Sequence, residues 1–326
     1  MPLSIINVVL ILMPLLPVIG VTVNGARSWV RIGIQVQPAE FAKVTVTLLA
    51  ASVVAKYEGR LDEPKEYMKC LGILIIPFVC IMLQPDLGTG LVFMFIAATA
   101  LVAGGAKLKY LLLTLLAGCA LFGLLLLADE AFKTVGENGT VEYHFLKNYQ
   151  RQRLFVFLDP DNDTSDSGYN LKQAQIAIGS GGLFGKGYMQ GTQAALKFLP
   201  EAPTDFVFCV LAEQFGFVGF LVLIALYSFL IIVSIKIAHA ANDLFGKLIV
   251  YCVVGMWVFQ IFENIGMTSG VMPITGIPLP FISYGSSFMV VNLIMLGMIS
   301  SVAENGIIAR RKHKYANAIT DRHIKN

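Results

Sequence analysis

Residues 199–235 read LPEAPTDFVFCVLAEQFGFVGFLVLIALYSFLIIVSI, so that a polar loop ends and an apolar run of about thirty residues begins. A run of that length can cross a bilayer as a helix, which needs roughly 20 apolar residues. Asp205 stands at the junction, where a carboxylate meets the edge of the predicted membrane. Because charge at such a boundary is costly to desolvate, Asp205 is a candidate functional residue. The alternative is that Thr204 or Asp205 caps the helix that follows.

The composition extends the membrane interpretation to the whole chain of 326 residues. Hydrophobic residues make up 56% of the chain and charged residues 14%, whereas a soluble domain carries about 25% charged residues. This composition predicts an all-α, polytopic integral membrane protein that forms a single domain over residues 1–326. The net charge of +3 is too small to indicate nucleic acid binding. The five cysteines lie in apolar segments without CxxC spacing and are expected to be small buried hydrophobes.

Eight apolar segments are long enough, or nearly so, to be membrane spans. We predict spans at residues 3–23, 38–56, 69–84, 87–104, 109–128, 206–235, 246–267 and 282–303. The third and fourth meet at a tight polar turn and form a hairpin. Residues 129–205 form one large loop between the fifth and sixth spans, and residues 304–326 form a tail. No signal peptide is expected, because the first apolar stretch lacks a basic leader and a cleavage site.

The distribution of lysine and arginine predicts the orientation of the spans. With the N-terminus in the cytoplasm, almost all the basic residues of the short loops and of the tail fall on the cytoplasmic side. The positive-inside rule therefore supports eight spans, two cytoplasmic termini and an outer location for loop 129–205. Arg27 and Arg31, in the first outer loop, are the exceptions and become candidate functional residues.

Charged residues also stand near the predicted outer ends of the spans. Glu40 and Lys43 are three residues apart, so they share a helix face and can pair. Such a pair either neutralises itself within the membrane or lines a polar cavity. Asp86 is likewise either a helix cap or a functional carboxylate. The convergence of several charges on one side favours a functional site there, made of Arg27, Arg31, Glu40, Lys43, Asp86 and Asp205.

Two further features lie within or between the last three predicted spans. Glu213 and Glu263 lie inside apolar segments, where each faces a cavity or pairs with another residue. Residues 272–286 contain three prolines and two glycines, which exclude a regular helix. Irregular backbone at membrane depth is tolerated only where protein or water covers it. This segment therefore either lines a groove or serves as a rigid connector.

Taken together, these segments resemble the SEDS family of bacterial cell-wall proteins (shape, elongation, division and sporulation). The matching stretches run in order from about residue 25 to residue 300, and the ordered set is far more specific than any single member. They are GARSWV (25–30), QPAE (37–40) with Lys43, QPDLGT (84–89), GYN (168–170), AIGSGG (177–182), FLPE (198–201), TDF (204–206) and PFISYG (280–285). The segment 264–278 looks like the RodA branch rather than the FtsW branch.

The resemblance implies a peptidoglycan glycosyltransferase that polymerises lipid II on the outer face of the bacterial cytoplasmic membrane. A class B penicillin-binding protein would be its transpeptidase partner, alongside membrane proteins of the elongation complex, in cell elongation and shape. Family members usually have ten spans. We count eight, and the match begins near the third, so the first two spans are expected to be absent from this chain.

The resemblance also implies roles for individual residues. Asp205, in the Thr-Asp-Phe motif, is expected to be essential, and we interpret it as the catalytic base. Positive charge and a divalent cation, Mg²⁺ or Mn²⁺, are expected to balance the leaving pyrophosphate. We expect Glu40 and Asp86 to orient the basic residues or to help hold this cation. The predicted substrate-binding residues are Lys43, Glu40, Arg27, Arg31, Asp86, Glu201 and Ser283.

Two other classes of function are compatible with charges buried in membrane spans. A lipid II flippase would concentrate charge near the bilayer midplane and would use discontinuous helices in paired repeats. Here the charges gather on one face and no repeat is visible, which favours the enzyme. A non-catalytic scaffold that recruits a transpeptidase is the third possibility. The predicted absence of two spans keeps it open.

Overall fold

The computed structural model describes residues 2–17, 19–23, 26–57, 60–135, 141–142, 151, 153, 156–157, 166–195 and 203–325. Its helices are α1 (Pro2–Leu12), α2 (Pro38–Ala55), α3 (Pro64–Met82), α4 (Leu87–Ala103), α5 (Leu108–Ala131), α6 (Asp166–Gly181), α7 (Thr192–Ala195), α8 (Val207–Ala240), α9 (Leu244–Ser269) and α10 (Ser286–Lys325). Short 3-10 turns occupy Met13–Leu15 and Arg60–Asp62.

Each of the eight predicted spans coincides with a helix, which confirms an all-α membrane architecture. In the described part of the chain, five helices are long and apolar enough to cross a membrane by length and composition: α2, α5, α8, α9 and residues Ser286–Ile308 of α10. The apolar helices Leu3–Leu15 and Leu87–Ala103 are shorter. The residues predicted as a tail, 304–326, continue α10 as helix as far as Lys325.

The predicted end of the first span is wrong. α1 stops at Leu12, a 3-10 turn follows at Met13–Leu15, and Gly20–Val23 is a β-strand rather than helix. Proline explains the early stop, because Pro14 and Pro17 each lack the amide hydrogen that a helix interior requires. The apolar residues after Pro17 continue the hydropathy pattern but leave the helix.

A small antiparallel sheet lies between α1 and α2, where we made no prediction of strands. Its strands are β1 (Gly20–Val23), β2 (Ala26–Ile32) and β3 (Ile34–Val36), in the order β1-β2-β3. Ile32 pairs with Ile34 across Gly33, whose φ of +72° allows so tight a turn. A second pair of short strands, β4 (Thr134–Val135) and β5 (Val141–Glu142), lies in the large outer loop.

The core of the bundle forms where α2, α4 and α9 pack together. α2 contributes small buried residues such as Ala39, Ala42 and Ala50, which let neighbouring helices approach closely. Trp257 of α9 is fully buried and donates a hydrogen bond from Nε1 to Oδ1 of Asn292, at 2.8 Å. Two-thirds of the most apolar window of α9, 67%, is buried, so this helix is the centre of the bundle.

α5 contrasts with α9, because none of its most apolar window is buried in the protein. The rest of the described protein therefore leaves most of this helix uncovered. At its C-terminal end Asp129 is fully buried and accepts a hydrogen bond from Nη1 of Arg151 at 3.1 Å, while Nη2 of Arg151 reaches Glu130 at 2.6 Å. These ion pairs attach the C-terminal end of α5 to Arg151 of the large loop.

Part of the outer loop folds back over the outer ends of α8 and α9. Leu171, Ala174 and Ala177 of α6 form a second apolar cluster together with Phe206, Cys209, Met267 and Ile274. Gly181 packs against the backbone of α8, since a Cβ there would lie 2.1 Å from the carbonyl oxygen of Ala212. α6 therefore forms a fixed layer beside the turn that carries Asp205.

Candidate active site

Asp205 lies in a turn just before α8, which begins at Val207. The cap residue of α8 is Phe206, and the structure shows no hydrogen bond from a side chain at this cap. The N-cap position is therefore Phe206 and not Thr204 or Asp205, and capping of α8 by either of those side chains stays a prediction. Asp205 as a whole residue is partly exposed.

The backbone around Asp205 is fixed by side chains from α9 and from the segment 279–284. Nδ2 of Asn264 donates to the carbonyl oxygen of Asp205 at 2.8 Å and to that of Ile277 at 2.7 Å. The hydroxyl of Ser283 donates to the carbonyl oxygen of Thr204 at 2.6 Å. Because such bonds hold the main chain, they fix the point from which the side chain of Asp205 extends.

Gly276 lets the carboxylate of Asp205 approach the irregular segment very closely. A Cβ on Gly276 would lie 3.0 Å from Oδ2 of Asp205 and 3.4 Å from Nη1 of Arg153, and the glycine φ is +73°. Nη1 of Arg153 also donates to the carbonyl oxygen of Thr275 at 3.2 Å. A carboxylate and a guanidinium therefore meet at one glycine, which supports the groove-lining interpretation of residues 272–286.

A second carboxyl group, that of Glu263, lies close to this point. Glu263 is fully buried and accepts a hydrogen bond at Oε1 from the hydroxyl of Thr275. Its other oxygen, Oε2, has no hydrogen-bond partner in the described part of the chain. Asp205 and Arg153 are both near enough to interact with Glu263 electrostatically. The site thus contains two carboxyl groups and one guanidinium.

Glu40 and Lys43 form the predicted ion pair within α2. Nζ of Lys43 lies 2.6 Å from Oε1 of Glu40, and their side chains are 2% and 5% exposed. Nζ also lies 5.4 Å from the ring centroid of Phe288, at the start of α10. Oε2 of Glu40 is buried without a hydrogen-bond partner in the described residues. Since buried polar atoms are nearly always bonded, this unused oxygen is unusual.

Asp86 is the N-cap of α4. Oδ1 accepts from the amide of Thr89 at 3.0 Å, and Oδ2 accepts from the hydroxyl of the same residue at 2.8 Å. Nε2 of Gln37 is a further, long donor to Oδ2, at 3.4 Å. The capping interpretation of Asp86 therefore holds, and both of its oxygens are engaged in it.

The residues that begin α10 join the two charged regions. Ser283 contacts the main chain of Thr204, as described above, and the hydroxyl of Ser287 accepts from the amide of Gln37 at 3.3 Å. The ring of Phe288 faces Lys43. Asp205, the Glu40–Lys43 pair and the Asp86 turn are therefore arranged around the same few residues, near the N-terminal ends of α2, α4, α8 and α10.

The remaining predicted site residues are placed differently. Nη2 of Arg27 donates to the carbonyl oxygen of Leu16 at 3.1 Å, and Arg31 is exposed on β2 opposite Gln35. Within the described ranges, no hydrogen bond or ion pair joins either arginine to the groups around Asp205. Ser283 is fully buried, so it supports the turn rather than facing a substrate. Glu201 lies outside the described residues.

The predicted cation ligands do not form a built metal site. Oε1 of Glu40 is paired with Lys43, and both oxygens of Asp86 cap α4. Among the residues that the structure describes, no group of three or more His, Cys, Asp or Glu side chains is placed to hold a metal ion. The geometry of Glu40 and Asp86 therefore gives the cation prediction no support.

The sequence did not direct attention to Arg153, Asn264 or Thr275. Arg153 lies in the large loop, where basic residues are common. Asn264 begins the RodA-like segment 264–278, but its two carbonyl partners are 59 and 13 residues away in the chain. The one usable signal was the pair Glu263–Asn264, two polar residues in succession inside an apolar span.

Comparison with known protein families decides the classification. The FtsW/RodA/SpoVE family model, described as a cell cycle protein, matches residues 1–306. The chain belongs to the FtsW/RodA/SpoVE family. Escherichia coli K12 peptidoglycan glycosyltransferase MrdB is 37% identical over 298 residues, which is 90% of this chain and 75% of the relative. Treponema pallidum peptidoglycan glycosyltransferase RodA is 35% identical, over 87% and 78% of the two chains.

Solved structures agree with this FtsW/RodA/SpoVE membership. A chain of a peptidoglycan synthase complex that coordinates polymerization and crosslinking is 32% identical and superposes with a TM-score of 0.71. The superposed region covers 94% of this chain and 80% of the chain from the complex. Thermus thermophilus RodA is 28% identical with a TM-score of 0.62, over 93% and 77% of the two chains. The family predicted from the ordered motifs is therefore confirmed, as is a multi-pass membrane fold.

Proposed function

We propose that this chain is a peptidoglycan glycosyltransferase that polymerises lipid II into glycan strands, with Asp205 as the catalytic base. The observation that supports the assignment of Asp205 as the base is the arrangement of the residues around it. Its main chain is held by Asn264, while its carboxylate lies close to Gly276 and Arg153. Named peptidoglycan glycosyltransferases among its relatives support the reaction class.

The reaction joins a sugar 4-hydroxyl to an anomeric carbon that carries a lipid pyrophosphate. The oxygen of the 4-hydroxyl forms the new bond to the anomeric carbon, and the bond from that carbon to the pyrophosphate oxygen breaks. Asp205 accepts the proton of the hydroxyl, which must lie within hydrogen-bond reach of the carboxylate. The lipid pyrophosphate leaves with the electron pair of the broken bond.

Positive charge near the site would stabilise the leaving pyrophosphate. Arg153 is the best-placed group, because its guanidinium lies on the same glycine as Asp205. Lys43 is a second candidate, since its ammonium group is bonded to Glu40 alone among the described residues. Arg27 and Arg31 remain candidates for more distant contacts to the substrate. A requirement for Mg²⁺ or Mn²⁺ remains a prediction for experiment.

The cellular setting follows from the same assignment. We propose that Asp205 lies at the outer face of the bacterial cytoplasmic membrane, with both termini in the cytoplasm, as the positive-inside rule predicts. A class B penicillin-binding protein would crosslink the strands that this chain makes. The RodA-like segment 264–278 supports a role in elongation and cell shape, with other membrane proteins of the elongation complex.

The test is a reconstitution of the purified full chain in liposomes with fluorescent lipid II. Electrophoresis of the products measures polymer, and the reduction of outer-leaflet label by dithionite measures transbilayer movement. Each assay is run with EDTA, with Mg²⁺ and with Mn²⁺. We expect polymer, and we expect no faster transbilayer movement than in liposomes without protein.

The other outcomes separate the rival functions. Transbilayer movement without polymer would make the chain a flippase. Neither product, for protein whose thermal unfolding is cooperative, would make it a scaffold, and a transpeptidase partner would then be added to ask whether it restores polymer.

A further inference from the structure

The glycine-rich part of the outer loop is joined to α8 at a break in the helix. Gly216 of α8 has φ +63° and ψ −160°, which are not helical values. Around this break the two backbones exchange hydrogen bonds. The amides of Lys186 and Gly187 donate to the carbonyl oxygens of Glu213 and Gln214, at 2.9 and 3.0 Å, and the amide of Phe217 donates to that of Gly182 at 2.9 Å.

The glycines make this contact possible. A Cβ on Gly185 would lie 2.1 Å from the carbonyl oxygen of Gln214, and a Cβ on Gly216 would lie 2.4 Å from the amide nitrogen of Gly185. Two main chains can approach so closely only where side chains are absent. The segment 182–190, which we call the glycine loop, is therefore part of the surface of α8 and not a free loop.

The length of α8 places this contact at the outer edge of the hydrocarbon. α8 has 34 residues, more than one bilayer crossing needs. Lys236 is the first charged residue at its inner end, and the stretch from Gly216 to Lys236 is about 20 residues. At 1.5 Å per residue this stretch spans about 30 Å, which is the thickness of the hydrocarbon core. The break at Gly216 thus falls at the outer interface.

The charges of this region are neutralised internally. Lys186 is the one charged residue in the glycine loop, and its Nζ lies 2.7 Å from Oε1 of the fully buried Glu213. The same oxygen accepts from the amide and the hydroxyl of Thr192, at 2.8 and 2.9 Å. Glu213 therefore has the pairing expected of a carboxylate near lipid, and the loop carries no unpaired charge outward.

The side chains that the glycine loop presents outward are large and apolar. Leu183, Phe184, Tyr188 and Met189 are 64%, 79%, 71% and 76% exposed. They continue onto the exposed apolar residues Phe215, Phe217 and Val218 of α8, next to the break. This surface is contiguous with the lipid-facing side of a membrane span, and aromatic rings are typical of the interface between lipid and water.

We propose that the glycine loop is inserted into the outer leaflet, where its apolar side chains contact lipid at the level of the headgroups and upper acyl chains. The partner of this surface is the bilayer itself. Insertion would hold α6, which ends at Gly181, and the adjoining outer loop against the membrane surface. The inference uses the membrane assignment of α8 and does not depend on which reaction the chain catalyses.

The test places a tryptophan at Phe184 and measures how strongly its fluorescence is quenched when the protein is in liposomes. Trp29 and Trp257 are present in every variant, so the new signal is obtained by difference from the unsubstituted protein. For Phe184→Trp we expect stronger quenching by lipids brominated at carbons 6 and 7 than at carbons 11 and 12. We also expect iodide to quench it at least about threefold less than it quenches free tryptophan amide in water.

The control is Phe229→Trp, because Phe229 is 70% exposed and lies well inside the span of α8. Its tryptophan should be quenched more strongly by the deeper bromines. Strong iodide quenching of Phe184→Trp without bromine quenching would place the loop in water and overturn the proposal. Protection from both quenchers would mean that protein covers the loop, such as a second copy of this chain, and would also overturn it.

Discussion

The two charged regions of the site are built in opposite ways. The Glu40–Lys43 pair comes from one turn of α2 and is almost fully buried. Asp205 lies in a turn outside the helices, and residues from α9 and from the segment 272–286 surround it. The first region is closed and local, whereas the second is partly exposed and assembled from distant parts of the chain.

This difference indicates a positioning role for the Glu40–Lys43 pair and a chemical role for Asp205. An apolar pair of similar size is often no less stable than a buried ion pair. Stability alone therefore does not explain the Glu40–Lys43 pair, in which one buried carboxylate oxygen has no hydrogen-bond partner among the described residues. Asn264 holds Asp205 through the main-chain carbonyl oxygen of that residue, and this bond does not use the carboxylate. We infer that Glu40 and Lys43 shape the groove and that Asp205 performs the proton transfer.

The largest effect on stability is expected at the buried pair. Lys43→Met leaves the carboxylate of Glu40 buried without its counter-charge, which should cost about 3–5 kcal/mol of unfolding free energy. The double variant Glu40→Gln, Lys43→Met removes both charges and should recover most of that loss. Thermal unfolding in detergent micelles measures the three proteins.

Polymerisation by the double variant then sharpens the comparison. We expect it to fold and yet to make little polymer, because the groove has lost its charges. Recovery of both stability and wild-type polymerisation would contradict this and would reduce the pair to a self-neutralised structural element. A double variant as unstable as Lys43→Met would show that the cost arises from packing and not from charge.

Asn264 offers a test of how the Asp205 turn is held. Asn264→Ala leaves two carbonyl oxygens, those of Asp205 and Ile277, without their donor. An unsatisfied buried polar group costs about 1–3 kcal/mol. We expect a loss of stability in that range together with a fall in the kcat of the folded protein.

Asn292→Ala is the matched control for Asn264. Its Oδ1 accepts from Trp257 and its Nδ2 donates to the carbonyl oxygen of Phe288, so it also makes buried hydrogen bonds. The variant should lose similar stability while the folded fraction keeps its kcat. Equal falls in kcat for the two variants would mean that Asn264 has no special relation to Asp205.

The smallest effect is expected at Asp86. Asp86→Ala removes an N-cap, which costs about 1 kcal/mol, whereas Asp86→Asn preserves capping and should cost less. Because both oxygens of Asp86 serve the cap, neither variant should change the Mg²⁺ concentration that gives half-maximal polymerisation. A large rise in that concentration for Asp86→Asn would identify Asp86 as a cation ligand.

Much of the fold could be predicted from sequence because the relevant signals are local. Apolar runs located α1 to α5 and α8 to α10, and the spacing of Glu40 and Lys43 anticipated their pair. The predicted end of the first span was wrong because hydropathy alone extended the span past Pro14 and Pro17 into β1. The sheet at Gly20–Val36 was also missed, because its strands are short and follow an apolar run.

The assembly of the site could be predicted less well. Sequence placed Asp205 at the outer boundary, but it could not show that Asn264 binds its main chain or that Arg153 meets it at Gly276. Nor could it pair Glu213 with Lys186, 27 residues earlier. Such contacts depend on how the outer loop folds back over α8 and α9, and no local periodicity encodes that.

The most direct test of the central claim compares binding with chemistry in Asp205→Asn. Asn keeps the size of the side chain and the main-chain bond from Asn264, but it cannot accept the proton. We expect lipid II to bind within about threefold of wild type, while formation of the first glycosidic bond in a single turnover slows by about 10²–10⁴-fold. Single-turnover formation at the wild-type rate, by a variant that folds and binds normally, would show that Asp205 is not the base.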